Sequence, residues 1–260
     1  CADAAAAARE SASSRSRSSI RALAESTSPV ALCRSLERVM ILRCVRSSRA
    51  RAPGSEASSE LDAASARARV SSETGMFILG GHGLMLGPQD IQLGVNETMR
   101  DTAQVLSRFN DIILARVFSH GDVVELARYS SKPVINALSD KYHPLQTLAD
   151  LMTLKEHFGS NLHGKTLGWV GDGNNIIHDL MVGAIKQGMH VQVGTPAGYE
   201  CSPDVVETAK QLAAANGVSL TFTTDPDAAA TGADVIVTDT WVSMGEESEA
   251  ERKKRDFAGY

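Results

Sequence analysis

The sequence has no cysteine pair at CxxC spacing; Cys1, Cys33, Cys44 and Cys201 are scattered along it. Neither a disulfide framework nor a zinc site is indicated, and a reducing compartment is compatible with such a set. No uninterrupted apolar run approaches the ~18 residues of a membrane-spanning helix. Excess positive charge is also missing. The formal net charge is −5 and the isoelectric point near 5.8, which gives no general attraction to nucleic acid or an anionic membrane, so neither is expected as a partner. Lysine is absent before Lys132, although the first 69 residues hold twelve arginines. What remains is a chain of 260 residues, 43% hydrophobic, enough for a real core in one or two domains.

Residues 1–64 differ in kind from the rest. Their Ala, Ser and Arg bias resembles an organellar transit sequence, while Asp3, Glu10, Glu25, Glu37, Glu56, Glu60 and Asp62 run against that reading. A wrongly joined upstream exon gives a similar composition, and both readings stay open. Within this arm only Pro29 to Val45 is apolar enough to order, as one helix; the remainder is expected to be disordered. From Ser65 the pattern is that of a folded protein. A helix is expected from about Val70 to a glycine pair at Gly80 and Gly81. Strands at 84–86, 112–117 and 134–138 then alternate with helices at 97–109 and 122–129, the βαβ order of a parallel sheet. Such a lobe normally needs a further strand and helix before Ser65, and none is recognisable.

A helix running from His143 to about Phe158 leads into a second βα series. Strands are expected at 165–170, 190–193, 220–223 and 235–238, with helices at 174–187 and 202–215 and near Ala228. The fold class is therefore α/β: two open parallel-sheet lobes joined by a connecting helix, the first incomplete and the second Rossmann-like. The expected divisions are an arm at 1–64, a first lobe with the connecting helix at 65–158, and a second lobe at 159–260.

Candidate site residues fall at strand ends and helix starts. His143 stands where a strand end passes into the connecting helix, and Pro144 suits the first helical turn. Three residues on, Gln146 shares the same face at the positive helix end, so imidazole and carboxamide point together at an anion or carbonyl. A plain helix cap is the other reading. Ser65, Arg67 and Arg69, read as lying before a helix, form a candidate phosphate cradle. Arg116 inside an apolar strand must be exposed at the strand's end or paired. In the second lobe, Asn175 after the first strand and Asp239 after the fourth are expected to be neighbours across one crevice. Asp239 suits a substrate ammonium, and Ser243 either hydrogen-bonds there or caps the next helix. Gly171-Asp172-Gly173 invites a dinucleotide reading, but Ile176 stands where the third glycine belongs and Gly194-Thr195-Pro196 where a ribose-binding acid belongs. A dinucleotide-binding oxidoreductase remains only as an alternative.

Blocks spread from Ser65 to Tyr260 carry a family resemblance. They read in order S-x-R-x-R-V-S-S-E-T-G, L-G-G-H, Q-D-I-Q-L-G-V-N-E-T, L-A-R-V, H-P-L-Q-x-L-A-D, G-D-G-N-N, T-P-x-G-Y-E and D-T-W-V-S-M-G. This succession resembles the ornithine carbamoyltransferases within the aspartate/ornithine carbamoyltransferase superfamily. The resemblance implies a carbamoyl-phosphate lobe and an ornithine lobe. It also implies transfer of the carbamoyl group to the δ-amine of L-ornithine, giving citrulline in arginine biosynthesis, without metal or organic cofactor. By the same resemblance Ser65, Arg67, Arg116, His143 and Gln146 bind carbamoyl phosphate, with Arg116 and His143 catalytic. Asn175, Asp239, Ser243 and Met244 bind ornithine. A homotrimer in the mitochondrial matrix, or alternatively in a plastid or the cytoplasm, is implied likewise. Against the family pattern S-T-R-T-R, Ala66 and Ala68 replace two threonines, and the family's carboxy-terminal H-C-L-P segment does not occur before Tyr260. A catalytically incompetent chain of the same family is therefore the alternative reading.

Overall fold

The apolar run expected as a helix in the amino-terminal arm is a strand, β1 (Arg38–Cys44). Its central position in a sheet explains why. It pairs in parallel with both β2 (His82–Leu86) and β3 (Ile112–Val117), and β4 (Val134–Leu138) completes the order β2-β1-β3-β4. A central strand of a parallel sheet reads as a continuous apolar run, and periodicity cannot separate it from a short helix. The computed structural model describes residues 38–44, 57–87, 90–91, 97–242 and 247–260, with side chains from Ala68 onward. The expectation of an arm outside the fold as far as residue 64 is thus corrected at 38–44 and again at 57–64; the rest of that arm lies outside the described residues.

Helix α1 (Ala57–Ile78) starts well before the expected position but stops where expected. Gly80 takes φ 84° and donates to the Phe77 carbonyl, and Gly81 donates to that of Met76, the two bonds of a Schellman end. Helix α2 (Met99–Phe109) is capped by the Thr98 hydroxyl, and α3 (His120–Tyr129) follows β3. Ile113, Ala115 and Val117 of β3 pack with Met99, Ala103, Val123 and Leu126 on one face. Leu114 turns to the other face with Met76 and Ala137.

Helix α4 (Pro144–Phe158) lies between the last strand of this sheet and the first of the next. The second sheet is also wholly parallel, with order β7-β6-β5-β8: β5 (Thr166–Val170), β6 (His190–Gly194), β7 (Leu220–Thr223) and β8 (Val235–Val237). Its helices are α5 (Asn175–Lys186), α6 (Pro203–Asn216) and the short α7 (Pro226–Ala230). Leu167 and Trp169 of β5, Val191 and Val193 of β6 and the apolar face of α5 form one continuous buried cluster that also takes in Leu151 and Leu154 of α4. A one-turn 3₁₀ helix at Glu247–Glu249 leads into α8 (Ala250–Asp256).

Helices α4 and α5 approach closely because of Gly183. A Cβ there would lie 2.5 Å from Cγ2 of Thr147. His178 ties α5 to the turn ahead of α4 and to the start of α6. Its Nε2 accepts from the Ser202 backbone N–H at 3.0 Å, so Nδ1 carries the proton and donates to the Lys141 carbonyl at 2.8 Å.

Candidate active site

In an open parallel sheet, ligands sit outside the carboxyl ends of strands where the strand order reverses. In the second sheet that point is between β5 and β8, and in the first between β1 and β3. The two points face one cavity of about 790 Å³, lined from the first lobe by Arg116, Ser139, His143 and Gln146 and from the second by Asp172, Asn175 and Asp239. Arg116, His143, Gln146, Asn175 and Asp239 are therefore brought to one place, whereas Arg69 is not on the cavity wall.

Arg116 reaches the cavity through a break in sheet register. Ala115 pairs with Asn136 but Arg116 with Leu138, so one step along β3 matches two along β4. Such an irregularity at a strand end re-aims side chains, and Arg116 is half-buried on the cavity wall. His143 is the N-cap residue of α4, without a side-chain capping bond, and its backbone (φ −135°, ψ 67°) is not helical. Burial and the nearby Arg116 guanidinium pull its pKa down from 6.5 to about 4. The imidazole is neutral near neutral pH, and its Nδ1 is buried without a hydrogen-bond partner. Gln146, exposed to the cavity, donates to Asp150 at 2.8 Å. Burial raises the Asp150 pKa, and the charge of Asp239 adds to that effect.

On the other side the turn after β5 is held tightly. The Trp169 indole donates to the Asp172 carbonyl at 3.0 Å, and the Gly173 N–H donates to the Tyr199 carbonyl at 2.9 Å. No side chain fits at Gly173, because a Cβ would lie 2.4 Å from the Cys201 nitrogen. Asn174 caps α5 with its Oδ1 and donates from Nδ2 to Asp239 at 2.9 Å. The contact with Asp239 is thus made by Asn174 and not by Asn175, the residue expected beside it. Asn175 instead crosses to the first lobe, donating to the Ser139 carbonyl at 2.7 Å.

One expectation about geometry is corrected. Ser65, Arg67 and Arg69 do not precede a helix; α1 begins at Ala57, so they lie about two to three turns inside it. Backbone N–H groups there are already engaged within the helix, and an anion can be held only by side chains. The cavity meets the flank of α1 at Ala68, Ser71 and Ser72. The side chains of Ser65 and Arg67, and the whole of Ser243 and Met244, lie outside the described residues. Arg69 is turned towards Glu73, 3.1 Å away.

Sequence reasoning did not single out Ser71, Ser72, Ser139, Asp140 or His178 as cavity-lining residues. In the sequence Asp172 stands out only as part of the Gly171-Asp172-Gly173 turn and Asn174 only as the start of a helix. The Ser-Ser pair directly follows the Arg-x-Arg spacing, and Asp172 is the one charged residue of its turn; both were available signals.

Two family models match the chain: Aspartate/ornithine carbamoyltransferase, carbamoyl-P binding domain, over residues 51–156, and Aspartate/ornithine carbamoyltransferase, Asp/Orn binding domain, over residues 163–260. A mitochondrial ornithine carbamoyltransferase of Aquarana catesbeiana is 52% identical over 196 residues, which is 75% of this chain and 56% of that protein. Among solved structures, the ornithine carbamoyltransferase from Pyrococcus furiosus superposes with TM-score 0.73 at 45% identity, covering 86% of this chain and 66% of the other. A mitochondrial ornithine carbamoyltransferase from Coccidioides immitis gives 0.72 at 38% identity, covering 92% and 69%. The chain spans little more than half the length of the curated relatives it matches.

Proposed function

The chain belongs to the aspartate/ornithine carbamoyltransferase family, and from that premise we propose that it transfers the carbamoyl group of carbamoyl phosphate to the δ-amine of L-ornithine, giving L-citrulline and phosphate. The observation that supports this reading above others is the shared cavity. It sets Arg116, His143 and Gln146, suited to a phosphorylated carbonyl compound, against Asn175 and Asp239, suited to an amino acid.

In this proposal the Arg116 guanidinium and the His143 imidazole donate to the carbamoyl carbonyl oxygen, where negative charge grows as the amine attacks. A pKa near 4 keeps His143 a neutral hydrogen-bond donor rather than a second cation. Gln146 orients the carbamoyl group, and Ser65 and Arg67 take the phosphate. Asp239 faces the α-ammonium of ornithine, with Asn175, Ser243 and Met244 holding the rest of the amino acid. The neutral δ-amine then attacks, phosphate leaves with the C–O bonding pair, and the proton shed by the attacking nitrogen passes to the departing phosphate. Holding both substrates in line supplies much of the rate.

The distribution of carboxylates favours ornithine over aspartate. Asp140 and Asp239 line the cavity, so a substrate with a second carboxylate meets like charge. Incubation with carbamoyl phosphate and either amino acid tests this. Citrulline is expected from ornithine and little carbamoyl-aspartate from aspartate; faster turnover of aspartate, or no citrulline, would overturn the reading.

We propose further that the active assembly is a homotrimer, which light scattering on the purified chain tests. A mitochondrial matrix location follows the relatives described as mitochondrial, from Aquarana catesbeiana and Coccidioides immitis. Plastid and cytoplasm are the alternatives, separated by imaging a tagged chain.

A further inference from the structure

The most buried charge in the described second lobe is Lys253 on α8, with a side chain 2% exposed. Its Nζ lies 2.5 Å from Oδ2 of Asp172, whose side chain is 10% exposed and which lines the cavity. A buried ammonium and a buried carboxylate tolerate the loss of water only as a pair. Helix α8 is fixed independently of this contact. Phe257 is fully buried, with ring centroids 4.9 Å from Tyr199 and 5.7 Å from Trp241, and the Tyr199 hydroxyl donates to Asp256 at 2.8 Å. Tyr199 is also the residue whose carbonyl takes the Gly173 N–H. The turn 171–173 is therefore gripped at four points: the Gly171 amide by the Gly194 carbonyl, the Asp172 carbonyl by Trp169, the Gly173 amide by Tyr199, and the Asp172 carboxylate by Lys253.

We propose that Lys253 is a positioning and specificity residue for the amino-acid side of the cavity. By neutralising Asp172 and fixing the turn that carries Asn174 and Asn175, it leaves Asp239 as the carboxylate presented to the substrate ammonium. Without Lys253, Asp172 becomes a second anionic partner in the same cavity and a cationic amino acid has two competing seats. This inference rests on the ornithine reading above.

The test compares Lys253→Met, Lys253→Arg and the double variant Asp172→Asn/Lys253→Met in the full chain. Lys253→Met is expected to raise KM for ornithine at least tenfold while leaving KM for carbamoyl phosphate within about twofold, because the partners proposed for that ligand lie in the first lobe. Lys253→Arg, which keeps the charge, and the double variant, which removes both charges, are each expected to return within about threefold of the parent. Should Lys253→Met not fold, the arginine and double variants carry the same comparison. Equal damage in single and double variants, or parallel loss for both substrates, would overturn the proposal. The thermal midpoint needs no substrate: it should fall in Lys253→Met and recover in the double variant. Recovery of the midpoint in a chain that makes no citrulline would sink the ornithine reading and leave the pairing of Lys253 with Asp172 standing; failure to recover would sink the pairing itself.

Discussion

The two lobes are built on the same parallel βα plan but bury themselves differently. Among the described residues, the second lobe gathers its interior into one cluster around Trp169, with Leu167, Ile177, Leu180, Met181 and Val191 fully buried. The first divides into two smaller clusters on opposite faces of its sheet, and leaves Phe77, Ile78, Val105 and Phe109 more than half exposed. The lobe with the continuous core carries the turn 171–173, which tolerates almost no displacement. The other carries Arg116 at a register break and His143 at a helix cap, positions set by local backbone geometry. Rigidity is concentrated where close packing fixes a turn.

The sharpest way to break this comparison is to empty the larger core. Trp169→Ala should cost about 3–5 kcal/mol, whereas Phe109→Ala, at a side chain 63% exposed, should stay within about 0.5 kcal/mol. Both tryptophans, Trp169 and Trp241, lie in the second lobe. Urea unfolding followed by fluorescence therefore reports that lobe alone, while far-ultraviolet circular dichroism reports both. The dichroism midpoint is expected at lower urea than the fluorescence midpoint; coincident curves would mean that the lobes unfold as one unit.

Next in size is Gly173→Ala. With a backbone nitrogen 2.4 Å from the new Cβ, the turn must shift. Citrulline formation should fall about a hundredfold, the scale of a misplacement near one ångström, with carbamoyl phosphate affinity nearly unchanged. Unchanged turnover would show that the turn has slack.

The His143 prediction concerns the other lobe. A folded-state pKa of about 4 against 6.5 unfolded means that the unfolded chain binds the proton more readily. The contribution is fully present above pH 6.5 and is lost as the pH falls towards 4. Between about pH 7.5 and pH 5 it amounts to roughly 2 kcal/mol. Denaturation of the parent and of His143→Gln at both pH values measures it; the variant should lose less stability on acidification by about that amount.

The smallest expected effect is a gain. Ala68 lines the cavity, and Ala68→Thr adds a hydroxyl that can donate to an ionised phosphate, tightening carbamoyl phosphate about tenfold, or about 1.4 kcal/mol. Calorimetry showing no change would remove the flank of α1 from the phosphate site.

Legibility in the sequence follows the same division. The second lobe's elements were readable because its strands are short apolar runs separated by helices, as expected at 174–187 and 202–215. Arg116, His143, Asn175 and Asp239 were readable because each stands at a strand end or helix start, where a parallel sheet places its ligands. The amino-terminal half of the first lobe was not. Arg38–Cys44 is too short for its period to declare itself, and α1 begins in an Ala- and Ser-rich stretch with no apolar stripe. That second failure misplaced Ser65 and Arg67 at a helix start. Lys253 and Asp172, 81 residues apart, carry no local mark of their pairing.

The bridge made by His178 has a consequence for sequence drift. Both of its partners are backbone groups, the Lys141 carbonyl and the Ser202 amide. Positions 141 and 202 can therefore exchange side chains freely, apart from proline at 202, without changing the length of the link. Position 178 cannot, because no other side chain offers a donor and an acceptor on opposite edges of one small rigid ring. Variation across relatives should spare that one residue while passing through the two it joins.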